Sequence, residues 1–212
     1  MRSAALASRD FMALAAERLR PEPPDPHASL ANPIGDHAFQ DEPFEVPREP
    51  KLAAVLVPIV PHGGEPALIL TERSTGLRQH SGQIAFPGGR VDAGDESVLA
   101  AARREAEEEI GLDPGLVRPL GYLDPYLSTT GYLIMPVVAL VRPDYSLSLN
   151  PHEVTGAFEV PLSFLMDPSR HELQSREWKG KLRRYYAMPY GERYIWGITA
   201  GILRKLYERL YR

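Results

Sequence analysis

Residues 86 to 112 read FPGGRVDAGDESVLAAARREAEEEIGL, and this run constrains the chain more than any other. Its second half, Arg104-Glu105-Ala106-Glu107-Glu108-Glu109-Ile110, is rich in helix-favouring residues. On a helix, positions i, i+3 and i+4 share a face, so Glu105, Glu108 and Glu109 point the same way. Like charges at that spacing repel, and a hard divalent cation with oxygen ligands would make the arrangement favourable. Mg²⁺ is held by a few carboxylates, its own waters and substrate phosphates, so the feature points to metal-assisted phosphate chemistry. The bland alternative is a solvated acidic face.

The flanks argue for the first reading. Phe86-Pro87-Gly88-Gly89 precedes the helix, Asp95 is a candidate N-cap with Glu96 in the first turn, and Gly111 stands where a helix stops. Glycines let backbone approach a ligand and present N–H groups to an anion.

Taken together, these residues resemble the Nudix box, G-x5-E-x7-R-E-U-x-E-E-x-G-U, with U aliphatic. Arg104 to Leu112 match it, with Ala106 at the first aliphatic position. The upstream part departs: six residues beyond Gly89 stands Asp95 rather than Glu, and Glu96 has the right spacing to Arg104 but lies one residue too far from Gly89. That extension is similar to the coenzyme A pyrophosphatase branch. A second motif of the branch, L-L-T-x-R-S-x3-R-x3-G-x3-F-P-G-G, is met by Ile69-Leu70-Thr71-Glu72-Arg73-Ser74, Arg78, Gly82 and Phe86 to Gly89, with Ile for the first Leu. Tyr194 to Gly201, YIWGITAG, also resembles it.

The resemblance implies a fold, a cofactor and a reaction. The fold is an α/β/α sandwich with a mixed β-sheet. The cofactor is Mg²⁺ or Mn²⁺ on Glu105, Glu108 and Glu109. The reaction is hydrolysis of the diphosphate of coenzyme A, or its thioesters, to 4′-phosphopantetheine and adenosine 3′,5′-bisphosphate. Arg104 would orient a box carboxylate. The general base stays open among Glu108, Glu109 and Glu153, the last in His152-Glu153-Val154. Arg73 and Arg78 are candidates to clamp phosphates, because guanidinium groups do so bidentately. His80 is a candidate for phosphate contact or proton transfer, and Gly88 and Gly89 for shaping the loop around the substrate. The alternatives are another nucleoside diphosphate-X, such as ADP-ribose or a dinucleotide, and a non-catalytic nucleotide-binding module.

Composition sets outer limits. The chain has 212 residues, 43% hydrophobic and 25% charged, ordinary for a globular domain. A net charge of −4 gives no general footprint for nucleic acid or anionic membrane. With no cysteine there is no disulfide frame and no thiolate nucleophile, which fits a reducing, cytoplasmic setting. The longest apolar run, Leu52 to Val60, is far short of the roughly 20 residues that cross a bilayer.

Residues 1–50 divide into a helix over 8–20, with Met12, Ala15, Ala16 and Leu19 on its apolar face, and an extended segment over 21–50 holding eight prolines. Residues 51–212 form the main domain. Strands are expected at 52–60, 67–73, 83–86, 118–124, 132–142, 154–159, 171–176 and 182–188. Helices are expected at 96–110, 161–166 and 195–210. The last carries Trp196, Thr199, Leu203, Leu206 and Leu210 as a core stripe. The alternatives for that stripe are a homodimer contact or a pocket wall.

Overall fold

The computed structural model describes residues 4–41, 43–74, 82–178 and 180–212. Strand β1 (Lys51–Val60) is the apolar run LAAVLVPIV, and it is buried along most of its length. A continuous apolar strand suits a sheet covered on both faces. β1 runs parallel to β7 (Tyr132–Val141), pairing Lys51 with Tyr132 through Ile59 with Leu140. The remaining pairs in this sheet are antiparallel, so it is mixed, as expected.

The sheet opens where the site will form. β1 and β2 (Ala67–Arg73) pair only at Ile59–Leu68 and Val60–Ala67, then diverge. Into the gap come β3 (Ile84–Ala85), paired to Thr71 and Glu72 of β2, and β4 (Gly88–Arg90), paired to Ala53–Val55 of β1. Phe86-Pro87 is the crossing, and the Pro87 carbonyl accepts from Leu56 N–H at 2.9 Å. Pro58, two residues on, aims its missing N–H at the same open edge and costs no ladder bond. Gly88 has φ 152°, and a Cβ there would lie 2.4 Å from the Ala54 carbonyl oxygen. Only glycine fits.

β5 (Val117–Tyr122) and β6 (Tyr126–Leu127) extend the β7 edge, and β8 (Val154–Pro161) covers the far edge of β2. One sheet face carries α3 (Val98–Ile110), whose Ala101, Ala102, Ala106 and Ile110 pack among Ala54, Leu56 and Val137. The opposite face carries α1 (Ala4–Arg18), α5 (Ile198–Tyr211) and a separate antiparallel sheet. That sheet is β9 (Glu172–Trp178), β10 (Lys181–Tyr190) and β11 (Arg193–Trp196), with β10 central. Two short helices complete the set, α2 (Pro26–Ser29) and α4 (Leu162–Leu165). The architecture is the expected α/β/α sandwich.

Several expectations are corrected. Trp196 belongs to β11, because Gly197 at φ 62° turns the chain before α5 begins at Ile198. Thr199, Leu203, Leu206 and Leu210 of the stripe are buried as expected. α1 buries Phe11, Ala15 and Leu19, an i, i+4, i+8 line, and leaves Ala16 outside. The strand expected at 83–86 is the shorter β3, and β4, beyond the Phe86-Pro87 crossing, was not expected. The proline-rich segment is mostly extended and wraps the domain. Arg20 bridges Tyr122, Ile34 bridges Tyr126, and the Gln40 amide bonds the Arg184 backbone of β10 in both directions, at 2.9 and 3.2 Å.

Candidate active site

The helix α3 is bounded by its own side chains. Ser97, not Asp95, is the N-cap: its Oγ accepts from Ala100 N–H at 3.1 Å. Gly111 closes the other end in the left-handed conformation at φ 65°, as the sequence suggested. With the alanine face against the sheet, Glu105, Glu108 and Glu109 fall into a gradient of burial. Their side chains are 14%, 52% and 3% exposed.

Asp95, freed from capping, takes another role. It binds Arg104 bidentately, Oδ1 to Nε at 2.9 Å and Oδ2 to Nη2 at 3.0 Å, and Oδ2 also accepts from Asp92 N–H at 2.8 Å. The Arg104 guanidinium holds the Asp95 carboxyl below its usual range. With one edge fixed, Arg104 turns Nη1 to Glu105 at 3.0 Å and to Glu108 at 3.1 Å, while Nη2 also reaches the Arg90 carbonyl at 3.0 Å. One guanidinium therefore sets two of the three carboxylates. Glu96 makes no hydrogen bond or ion pair among the described residues, so the structure distinguishes it from Asp95.

Glu109 lies at the splay of β1 and β2. Its Oε2 accepts from Gly88 N–H at 3.2 Å, and its Oε1 stands 3.4 Å from Nη1 of Arg73. Burial raises its pKa from 4.5 to about 7 against the pull of those two donors, and Glu153 and Glu105 add to the rise. Burial also raises Glu105, against Arg104. Gly89 touches the same group: a Cβ there would sit 2.4 Å from Glu105 Oε2. The glycine pair thus places one N–H on Glu109 and clears space for Glu105.

Glu153 comes from across the sheet. Its carbonyl accepts from Ser74 N–H at 2.8 Å just beyond β2, and Asn150 N–H donates to the Glu109 carbonyl at 2.9 Å. Asn150 Nδ2 then donates to Glu153 Oε1 at 3.1 Å. The turn 150–153 thus ties the end of α3 to the start of β8, and the Glu153 charge acts on both Glu105 and Glu109. Asn150 was missed by the sequence reading, and its only signal is a place in the turn before His152-Glu153. Arg73, Gly88, Gly89, Arg104, Glu105, Glu108, Glu109 and Glu153 are therefore brought together. Arg78 and His80 lie outside the described residues.

The donor set is oxygen throughout, which suits Mg²⁺ or Mn²⁺ and not a soft metal. Among the described residues no three acidic or histidine side chains enclose an ion-sized space. Glu105 and Glu108 lean instead on Arg104. A buried carboxylate, Glu109, and a partly buried one, Glu105, both with raised pKa values, are what a cation would relieve, so the residues fit the ion. A cleft of about 290 Å³ opens elsewhere, along the N-terminal segment at Arg20, Asp25, Asn32 and Asp124. Its charges are paired, Arg20 with Asp124 at 2.8 Å, and it offers no comparable chemistry.

The NUDIX domain profile matches residues 50–182. Two relatives, both called uncharacterized Nudix hydrolase NudL, come from Escherichia coli O7:K1 and Shigella flexneri serotype 5b. The first is 46% identical over 154 residues, covering 73% of this chain and 80% of the relative. The second is 44% identical over 165 residues, covering 76% and 85%. Among solved structures, the M. smegmatis Nudix hydrolase RenU aligns at TM-score 0.45 and 25% identity, over 52% of this chain and 70% of that one. By domain match and by these relatives, the chain belongs to the Nudix family and is a phosphoanhydride hydrolase.

Proposed function

We propose that the protein is a coenzyme A diphosphatase, releasing 4′-phosphopantetheine and adenosine 3′,5′-bisphosphate from coenzyme A or its thioesters. The observation that carries this reading is the motif upstream of the box. Its described residues, Ile69 to Ser74, Gly82 and Phe86 to Gly89, run from β2 through the Phe86-Pro87 crossing into β4, and Arg73 at the end of β2 lies against Glu109. A substrate-selective motif in contact with the acidic site is where selectivity for the diphosphate would act.

Glu105, Glu108 and Glu109 would hold Mg²⁺ or Mn²⁺, which when bound polarises the phosphoryl oxygens and acidifies a water. Arg104 presents Glu105 and Glu108, and Asp95 fixes Arg104. The Gly88 N–H orients Glu109, and Arg73 offers its guanidinium to a diphosphate oxygen. The Arg73 side chain is 29% exposed, so part of it faces solvent beside Glu109. Glu153, steered by Asn150, is the general base in this scheme, taking the proton of the attacking water. It sits near the carboxylates without an ion-pair partner of its own among the described residues.

The test is turnover of free coenzyme A with Mg²⁺ or Mn²⁺, beside ADP-ribose and a dinucleotide, with products separated by chromatography. The two named products, lost on chelation, are the expected result. Cleavage of the other compounds alone would overturn the choice of substrate. Folded, metal-loaded protein that turns over none of them would favour a binding module.

A further inference from the structure

The three-stranded sheet carries residues that the diphosphatase reading does not use. On β10 the alternation sends Met188 and Tyr186 toward the core and sets exposed Arg183 and half-buried Tyr185 on the other face, where Ala187 is fully buried beside them. The register sets Arg183 directly opposite Arg176 of β9 and Ala187 opposite Trp196 of β11. Two arginines face to face on adjacent strands repel, which destabilises the pair. Both are exposed, and neither has an ion pair or hydrogen bond among the described residues.

The aromatic neighbours are arranged as a group. Tyr185 and Trp196 meet edge-on with centroids 5.2 Å apart, and Tyr194, two residues from Trp196 on β11, lies on the same face. Tyr194 is 42% exposed and so presents part of its ring to solvent. The acid on this face, Glu172, is engaged by the Gln174 amide at 2.8 Å. The surface therefore offers a basic end and an aromatic end, in a chain whose net charge is −4.

We propose that this outward face binds a phosphorylated nucleoside, with the base on Tyr185 and Trp196 and the phosphate between Arg176 and Arg183. Arg183 and Tyr185 are two residues apart on one strand face, roughly 7 Å between Cα atoms. A ribose holds a base and its phosphate apart by a comparable length. An anion between the arginines turns a repulsive pair into a bidentate clamp, and every nucleobase has a face that stacks on an aromatic ring. The site is separate from the carboxylates of α3 and does not depend on which diphosphate they cleave. The fold links the two regions: Thr199, just after β11, donates its hydroxyl to the Ile84 carbonyl at 3.0 Å, four residues before Gly88.

The test is calorimetric binding of adenosine 3′,5′-bisphosphate to the full chain in excess chelator, with inorganic phosphate and adenosine as controls. The proposal expects saturable binding of the nucleotide, weaker binding of either control, and at least a tenfold loss in the Arg176→Gln/Arg183→Gln protein. Tyr185→Leu should also weaken the nucleotide while leaving inorganic phosphate as it was. Glu105→Gln, which alters only the acidic site, should keep the binding. Loss in Glu105→Gln with retention in the arginine variant would assign the binding to the catalytic centre and overturn the proposal. So would equal affinity for nucleotide and inorganic phosphate, or no binding at all. Circular dichroism of each variant separates lost binding from lost fold. Because no turnover is measured, failure here is distinct from failure of the coenzyme A reading.

Discussion

Arg73 and Glu109 stand 3.4 Å apart, yet one ends an edge of the splayed sheet and the other is the most buried acid of α3. The pairing is incomplete, and that has a thermodynamic consequence. Burial outweighs the Arg73 charge and the Gly88 N–H, so the Glu109 pKa stands at about 7 in the folded protein against 4.5 in the free group. Below pH 4.5 both states are protonated and nothing is lost. Between there and about 7 the unfolded chain gives up its proton first, so stability falls as pH rises. The loss amounts to about 3 kcal/mol once Glu109 is ionised.

Chemical denaturation of metal-free protein at several pH values should show that decline, and Glu109→Gln should flatten it. Saturating Mg²⁺ should remove it from the wild type, because the ion stabilises the ionised form. Parallel pH curves for wild type and Glu109→Gln would sink the assignment.

Glu153 makes a second case. As a base rather than a metal ligand, it should affect turnover and spare binding of the ion. Glu153→Gln is expected to lower kcat by about 10²- to 10⁴-fold. Mn²⁺ affinity, followed by electron paramagnetic resonance of the free ion, should stay within about threefold of wild type, below the range for a lost ligand contact. A weakened Mn²⁺ site would move Glu153 into the ligand set.

Much of this is legible in the sequence. The three-four spacing of Glu105, Glu108 and Glu109 and the stop at Gly111 are local properties of a helix, and local rules suffice for them. The same holds for β1, β2 and β7, whose apolar runs leave little choice. Asp95 was read as a cap because both roles, capping and pairing with arginine, need a short carboxylate before a helix. Ser97 wins the cap because it lies immediately before the first helical residue. Trp196 was assigned to a helix because its spacing to Thr199 is helical, and nothing local to those residues announced that Gly197 would adopt φ 62°. β4 and the splay depend on pairings between distant segments, which no window of sequence contains. Asn150 is invisible for the same reason.

Gly89 tests the packing of that splay. Its backbone does not need a positive φ, so alanine is tolerated conformationally, but the new Cβ would lie 2.4 Å from Glu105 Oε2. The carboxylate has to move away, and with it the contact to Arg104. Gly89→Ala should therefore fold, with a loss of about 1 to 3 kcal/mol typical of overpacking, and bind Mn²⁺ about tenfold or more weakly. Near-normal metal affinity would show that Glu105 is not held where its ligand role requires.

Asp95 and Glu96 compete for one place in the box, and their contacts separate them. Asp95 holds Arg104 through two bonds, at 2.9 and 3.0 Å, and Arg104 in turn holds Glu105 and Glu108. Asp95→Asn keeps the shape but replaces one accepting oxygen with a donor that faces a guanidinium. Arg104 should swing, and both carboxylates should lose their orientation. Losing a residue that orients metal ligands costs about 10- to 100-fold in metal affinity or activity. Glu96→Gln touches no member of that network and should stay within about twofold, as an exposed charge outside it does. A double substitution, Asp95→Asn with Arg104→Lys, should be little worse than Arg104→Lys alone, because Asp95 acts only through that guanidinium. Additive losses in that pair would mean that Asp95 and Arg104 act independently, and the relay from Asp95 through Arg104 to the two carboxylates would have to be abandoned.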